Sequence, residues 1–309
     1  MNTDPSLSII IPARNVAGYL PASIGSIGPG PYEILVVDDG STDDTPRVLQ
    51  ALAAEEPRLR VLQGPCKGVS AARNLAISQA RAPLTAFLDA DDNWRPGKLA
   101  AQMALHDAHP PLGFSFTDYR HVSPEGEDRG TCFEYWQGFA ARHARAPMAF
   151  RLGGDALAQI YAENVVGTST VMARTRLLRE SQGFAAHLGN AEDWDLWLRL
   201  AAAAPVGCLK HVGTDYLMHR AGNISNNARQ RAQALREVAG CYRDVARAQD
   251  RGAVSRCEAR LLTAEAEAAS AAGQHWRAAA RQCGAVLREP RRRAARQAAA
   301  MVLRALRAA

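Results

Sequence analysis

Phe87-Leu88-Asp89-Ala90-Asp91-Asp92-Asn93-Trp94 joins an apolar run to three carboxylates within four residues. The apolar stretch 84–88 predicts a buried strand, so the acids fall at its carboxyl end, where open α/β sheets bind ligands. Carboxylates this close repel one another, and the end of a strand supplies no evident cation. A divalent metal that itself holds a diphosphate relieves the repulsion. An acidic turn between strand and helix is the plainer reading, and the flanking sequence has to decide between the two.

Outward from this octapeptide, strands and helices alternate. Residues 7–11 are a β-branched run, followed by helical spacing near 17–27. A second strand at 33–37 ends on Asp38-Asp39-Gly40-Ser41. A helix over 43–54 follows, with Ser41 or Thr42 as its N-cap. Residues 60–62 read as a strand, 69–81 as a helix and 97–109 as another. This alternation predicts an α/β fold, Rossmann-like, with a mostly parallel central sheet flanked by helices. Beyond Pro111, strands are expected at 114–121 and 168–173, a helix at 192–202, and a return to the sheet at 206–212. Residues 125–148 read as irregular.

From about residue 230, Ala and Arg dominate with helical spacing, which predicts an all-helical C-terminal extension. Residues 261–290 resemble a single tetratricopeptide-type hairpin. Charge divides the chain at the same place. Residues 226–309 hold 17 Arg and no Lys against 7 acids, whereas the remainder holds 20 basic and 24 acidic residues. We therefore expect a catalytic domain over 1–225 and a basic extension over 226–309. The extension is either a solvated helical face or a peripheral contact with anionic membrane. Nucleic acid is not expected, because the arginines lack interleaved aromatics and follow an acidic domain. No apolar run is long enough to span a bilayer, and the amino terminus lacks the basic start of a signal peptide. Six scattered cysteines without a C-x-x-C pair suit reduced thiols. A cytoplasmic protein, peripheral at the inner face of the membrane through its tail, is the expected setting.

Individual residues suggest chemistry. Asp39 ends the second strand, and an acceptor-only carboxylate suits a base N–H or a ribose hydroxyl. Helix capping beside Ser41 is its alternative. Gly68 lets the backbone pass close to a ligand, and Arg73 offers a planar cationic donor array. Hard carboxylate oxygens at Asp89 and Asp91 favour Mg²⁺ or Mn²⁺ over zinc. Glu192 and Asp193 fall in the first turn of a helix, where the macrodipole favours ionised acids. They either complement that dipole or provide a base. Trp194 and Trp197, three apart, suit a core, although Trp194 could also face an acceptor ring.

Five segments in order resemble the family 2 glycosyltransferases with the GT-A fold. They are Ile11-Pro12-Ala13-Arg14-Asn15, Val37-Asp38-Asp39-Gly40-Ser41-Thr42-Asp43, Gly68-Val69-Ser70-Ala71-Ala72-Arg73-Asn74, Asp89-Ala90-Asp91-Asp92 and Ala191-Glu192-Asp193-Trp194-Asp195-Leu196-Trp197. The resemblance implies an inverting, metal-dependent transfer of a sugar from a nucleotide diphosphate-sugar, a UDP-sugar being favoured, to a glycan, lipid-linked or protein hydroxyl. It implies nucleotide contacts from Pro12, Ala13, Asn15, Asp39, Lys67, Arg73, Asp89 and Ala90. Asp91 would be the metal ligand, helped by Asp89 and by His219, since a histidine after the last core strand reaches the metal or diphosphate in related enzymes. Asp193 would be the catalytic base, with Glu192, Trp194 and Asp92 near the acceptor or in support. One departure is Ala13-Arg14, where an aromatic commonly precedes the Asn. The competing expectation is a catalytically silent nucleotide-sugar-binding or scaffold protein of the same fold.

Overall fold

The computed structural model describes residues 4–218 and 227–308. In chain order the elements up to the first long loop are β1 (Leu7–Ala13), α1 (Leu20–Gly25), β2 (Tyr32–Asp38), α2 (Thr45–Glu55), β3 (Leu59–Gln63), α3 (Val69–Gln79), β4 (Leu84–Phe87), β5 (Asn93–Trp94) and α4 (Lys98–Ala108). Then come β6 (Phe114–Val122), β7 (Asp128–Thr131), α5 (Cys132–Tyr135), α6 (Gln137–Arg142), β8 (Ala149–Arg151) and α7 (Ala156–Ala162). The chain continues through β9 (Met172–Arg174), α8 (Thr175–Glu180), α9 (Glu192–Ala203) and β10 (Val206–Leu217). It ends in α10 (Ala228–Gln249), α11 (Arg251–Ala271), α12 (His275–Arg288) and α13 (Arg292–Ala308).

The chain forms two compact units. The first comprises Met1–Gly153, Val165–Ala186 and Asp195–Arg220; the second comprises Gly154–Asn164, His187–Trp194 and Ala221–Ala309. In the first, the strands run in the order β3-β2-β1-β4-β9-β6-β10-β5, with β7 beside β6 and β8 beside β10. β3, β2, β1 and β4 are mutually parallel, as are β6 and β10, whereas β9 is antiparallel to both β4 and β6. The sheet is thus mixed but mostly parallel at its amino-terminal half. Parallel strands covered by helices read as continuous apolar runs. Accordingly Leu7, Ile9, Ile10 and Ile11 of β1 and Ile34 to Val37 of β2 are fully buried.

The structure corrects three details. Residues 168–170 form a 3-10 turn instead of the start of a strand. The Thr170 N–H and hydroxyl both bond the Gly167 carbonyl, at 2.9 and 2.7 Å, and this local alternative competes with a ladder. Ser41 and Thr42 do not cap α2, whose N-cap is Asp44. They bind Asn15 instead. The irregular stretch contains the short elements β7, α5 and α6, the middle one closed by a Thr131–Glu134 capping box.

α4 carries a lysine into the core. Lys98 is 1% exposed, donates from Nζ to Gln102 Oε1 at 2.8 Å, and lies 4.2 Å over the Trp94 ring. Burial lowers its pKa from 10.5 to about 7. Between these values the unfolded chain binds the proton that the folded chain does not, so stability rises with pH across that window. Lys98→Met is expected to be more stable than wild type near pH 7. The gap should close as pH approaches the unfolded value, which thermal unfolding from pH 6.5 to 9.5 would measure.

The second unit is helical. α10, α11 and α12 pack in succession, α13 packs on α12, and α7 lies against α10 and α11. Between α11 and α12, Gly273 at φ +71° closes the hairpin that the sequence suggested. The Tyr161 hydroxyl donates to the Ala239 carbonyl at 3.1 Å, and the Ala158 N–H donates to Gln249 Oε1 at 3.0 Å. Among the described residues no helix is long and apolar enough to cross a membrane.

Candidate active site

In the first unit, β1, β2 and β4 run in parallel and end at one edge. Ala13 pairs with Asp38, and past the end of β4 the Leu88 N–H bonds the Ile10 carbonyl at 3.0 Å. The turn after β2 is self-supporting: Asp38 Oδ1 accepts the Ser41 N–H at 3.0 Å, and the Asp39 N–H bonds the Ala13 carbonyl at 2.9 Å. Asp39 therefore points away from Ser41 and toward the start of α3. Its Oδ2 accepts the Gly68 N–H at 2.7 Å. Its Oδ1 is buried and accepts no hydrogen bond within the described protein. A buried carboxylate oxygen without a donor is costly, and a ligand N–H or O–H would satisfy it. The Asp39 side chain is closely walled. A Cβ at Gly64 would lie 2.6 Å from Oδ1 and 2.8 Å from the Asp39 Cα, so only glycine fits there. At Gly68, φ is +94° and a Cβ would meet open space, as expected where backbone borders a ligand.

α3 then links Asp39 to the acidic octapeptide. Arg73, one turn into α3, donates from Nη2 to Asp89 Oδ1 at 2.5 Å, and its guanidinium lies 5.0 Å from the Phe184 ring centre. Its side chain is only 5% exposed. Arg73 consequently braces Asp89 from within.

The three acids separate in role. Asp92 is fully buried: Oδ2 accepts the Ser169 hydroxyl at 2.5 Å and Oδ1 accepts the Leu217 N–H at 3.1 Å. Ser169 Oγ in turn accepts the Asp89 N–H at 3.0 Å. A closed circuit thus ties the octapeptide to the 3-10 turn and to the end of β10, which makes Asp92 a loop bolt and removes it from any acceptor. Burial, followed by the charges of Asp89 and Asp91, pushes its carboxyl well above the ordinary range. The second of these causes is the repulsion predicted from sequence. Asp89 and Asp91 remain partly exposed, while Ala90 is buried between them. Ser169 carried no signal in the sequence, because it lies 80 residues from Asp89 and acts through its fold position alone.

Other expected residues fall as follows. Pro12 and Ala13 end β1, and Lys67 is exposed on the loop before α3. Asn15 is left-handed at φ 52°, and its carboxamide oxygen accepts the Thr42 N–H at 2.8 Å while Ser41 Oγ accepts its own N–H at 3.0 Å. That side-chain oxygen is therefore spent on joining two loops. His219 lies outside the described residues.

Glu192, Asp193 and Trp194 belong to the second unit. Asp193 is partly exposed, and its Oδ1 accepts the Trp194 N–H at 2.7 Å. Glu192 is buried at 9% exposure. Trp194 is fully buried, donates its indole N–H to the Ile160 carbonyl at 3.0 Å, and has Tyr161 stacked at 5.9 Å and the Arg260 guanidinium at 4.0 Å. Its surroundings are protein, the core position that the spacing of Trp194 and Trp197 suits.

As for a metal, no group of three or more His, Cys, Asp or Glu side chains is placed to hold one among the described residues. Asp92 is turned inward and one oxygen of Asp89 is taken by Arg73, while Asp89 and Asp91 are the part-exposed carboxylates beyond β4. Such a set fits a hard cation that draws its other ligands from phosphate oxygens and water.

Residues 8–155 match the family described as "Glycosyl transferase family 2". Over these residues the chain belongs to that family. Around the family 2 domain, the hyaluronan synthase of Pasteurella multocida is 27% identical over 215 residues, covering 69% of this chain and 20% of that protein. The chain spans between 20% and 31% of the length of the first curated relatives it matches. S. aureus TarS 1–349, in complex with UDP-GlcNAc, superposes with a TM-score of 0.61 at 17% identity, covering 92% of this chain and 89% of that one. A mannosyltransferase of Pyrobaculum calidifontis, in complex with GDP-Man and Mn²⁺, superposes with a TM-score of 0.64 at 20% identity, covering 99% and 81%. These likenesses establish the fold of the family 2 domain as GT-A.

Proposed function

We propose that this chain transfers a sugar from a nucleoside diphosphate-sugar, with UDP-sugars favoured, to a hydroxyl of a glycan, a lipid-linked sugar or a protein. The observation that carries the reading is the edge of β2 and β4 in a family 2 domain. There a buried Asp39 oxygen lacks a donor, and two part-exposed carboxylates stand at the end of β4. Asp39 would receive a base N–H or ribose hydroxyl. Pro12, Ala13 and Lys67 border the nucleotide. Asp91, with Asp89, would hold Mg²⁺ or Mn²⁺, which when bound supplies positive charge to the departing diphosphate. Arg73 and Asp92 hold those carboxylates in place. Asp193 takes the proton of the acceptor hydroxyl as that oxygen bonds to the anomeric carbon and the bond to the diphosphate breaks on the opposite side. A single in-line displacement inverts that carbon. The part-exposed Asp193, already fixed by its bond to the Trp194 N–H, is supported as the base by the resemblance of its motif.

The same reading includes a cytoplasmic setting, consistent with six cysteines that are all free thiols, and a peripheral contact of the C-terminal helices with anionic membrane. A thermal-shift screen of UDP, GDP, TDP and CMP, each with and without Mn²⁺, tests the reading. A metal-dependent rise with one nucleotide supports it, and no rise with any favours a silent scaffold. Asp39→Ala is expected to weaken the stabilising nucleotide roughly tenfold to a hundredfold, the usual cost of one hydrogen bond to a charged group. Titration calorimetry would measure the loss, and unchanged affinity would remove Asp39 from the site.

A further inference from the structure

The arginines of the second unit are not equivalent. Those of α10 and α11 are largely spent inside the bundle. Arg236 pairs with Glu258 at 2.8 Å and with Glu265, Arg231 pairs with Glu267, and Arg256 pairs with Asp250 at 2.5 Å. Even Arg291, just ahead of α13, is turned inward onto Glu163 and Glu289. Past Arg291 the supply of acids ends: α13 contains arginines and no Asp or Glu.

The packing of α13 leaves a long face uncovered. Ala298 and Ala305 are buried, at 8% and 1% exposure, on the side that meets α12. Leu303 and Leu306 are 54% and 58% exposed, and Arg296, Arg304 and Arg307 are exposed as well. Arg296, Leu303 and Arg307 follow one another at spacings of seven and four, so they share one stripe of the helix, with Leu306 beside it. In the preceding helix α12, Leu287 is also exposed, at 84%. Large apolar side chains exposed beside arginines, on a helix without acids, form an amphipathic face that stays exposed among the described residues.

We infer that the outer face of α13 is a docking surface for the anionic headgroups of a phospholipid bilayer. Charge complementarity selects this occupant. A second copy of the chain applied to the same face would oppose arginine to arginine, and a nucleic acid would leave Leu303 and Leu306 without an apolar partner. An anionic bilayer receives both: guanidinium groups pair with lipid phosphates while the leucines enter the headgroup–acyl boundary. The inference rests on the proposed function for its purpose, which is to hold the chain near a lipid-linked acceptor; the surface itself stands on its own residues.

The test is co-sedimentation of the full chain with vesicles of phosphatidylcholine alone, or of phosphatidylcholine mixed with phosphatidylglycerol, at low and high salt. Binding is expected only to the mixed vesicles at low salt. The variant Arg296→Gln/Arg304→Gln/Arg307→Gln is expected to bind about a hundredfold more weakly. Leu303→Gln/Leu306→Gln is expected to lose about tenfold at unchanged net charge. All five side chains altered to Gln across the two sets are exposed, so the melting temperature of each variant should match wild type and certify its fold. Binding to neither vesicle, equal binding by wild type and both variants, or a concentration-dependent dimer dissolved by the leucine changes would each overturn the surface. Affinity for UDP with Mn²⁺, measured on the same samples, separates the two proposals. Failed vesicle binding with intact nucleotide binding sinks only the membrane surface, and the reverse result sinks only the glycosyl-transfer reading.

Discussion

Asp193→Asn is expected to reduce sugar transfer roughly a hundredfold to ten-thousandfold, the range typical for losing a positioned general base. The change is nearly isosteric. The asparagine oxygen can still accept the Trp194 N–H that Asp193 Oδ1 now accepts at 2.7 Å, so the start of α9 should keep its shape. What disappears is the ability to take a proton. The deficit should therefore appear in kcat, with the calorimetric affinity for the donor nucleotide unchanged, because the base acts on the acceptor. Trp194, buried against Tyr161 and Arg260 immediately beyond it, anchors that turn and makes a wholesale collapse an unlikely cause of any loss. Transfer at the normal rate by this variant would end the assignment of Asp193, and a matching fall in donor affinity would move Asp193 to the nucleotide.

Asp91→Ala is the second large effect. Donor affinity measured with Mn²⁺ should fall to the value measured without metal, and transfer should be lost along with it. The three neighbouring acids differ in exposure and in what they already hold. Asp92 is consumed by Ser169 and the Leu217 N–H, and one oxygen of Asp89 is consumed by Arg73. Asp91 is part-exposed beside them, and its removal also relieves the repulsion that Asp92 experiences. The melting temperature of the variant, taken on the same sample, shows whether the binding defect is read on folded protein. Unchanged metal-dependent affinity would exclude Asp91 as the ligand.

These two experiments bear on different units of the chain, and their readouts are chosen to differ. One separates kcat from binding; the other separates binding with metal from binding without it. A protein that passes the second and shows no transfer under any condition would be a nucleotide-binding scaffold.

Much of this protein is legible along the chain. The β-branched run Leu7–Ile11 and the apolar stretch Ile34–Val37 could only be covered strands, and their alternation with helices sufficed for a mostly parallel sheet. The acids at the end of β4 announce mutual repulsion by adjacency alone, and the Ala/Arg spacing of the tail announces helices. What adjacency cannot carry is the identity of each group's partner. Ser169 and Leu217 meet Asp92 across 77 and 125 residues, and these contacts alone turn one of three similar carboxylates into a buried bolt. Phe184 and Asp89 likewise convert Arg73 from an exposed ligand contact into an internal brace. Tyr161 and Arg260 enclose Trp194 in the packing of the second unit. In the tail, seventeen arginines look alike in sequence, and only packing separates those paired with Glu258, Glu265 and Glu267 from those facing water on α13. Local pattern determined which elements form, because periodicity and propensity act over a few residues. Tertiary structure decided what each charged side chain is for, because desolvation and pairing depend on neighbours that the chain brings together only when it folds.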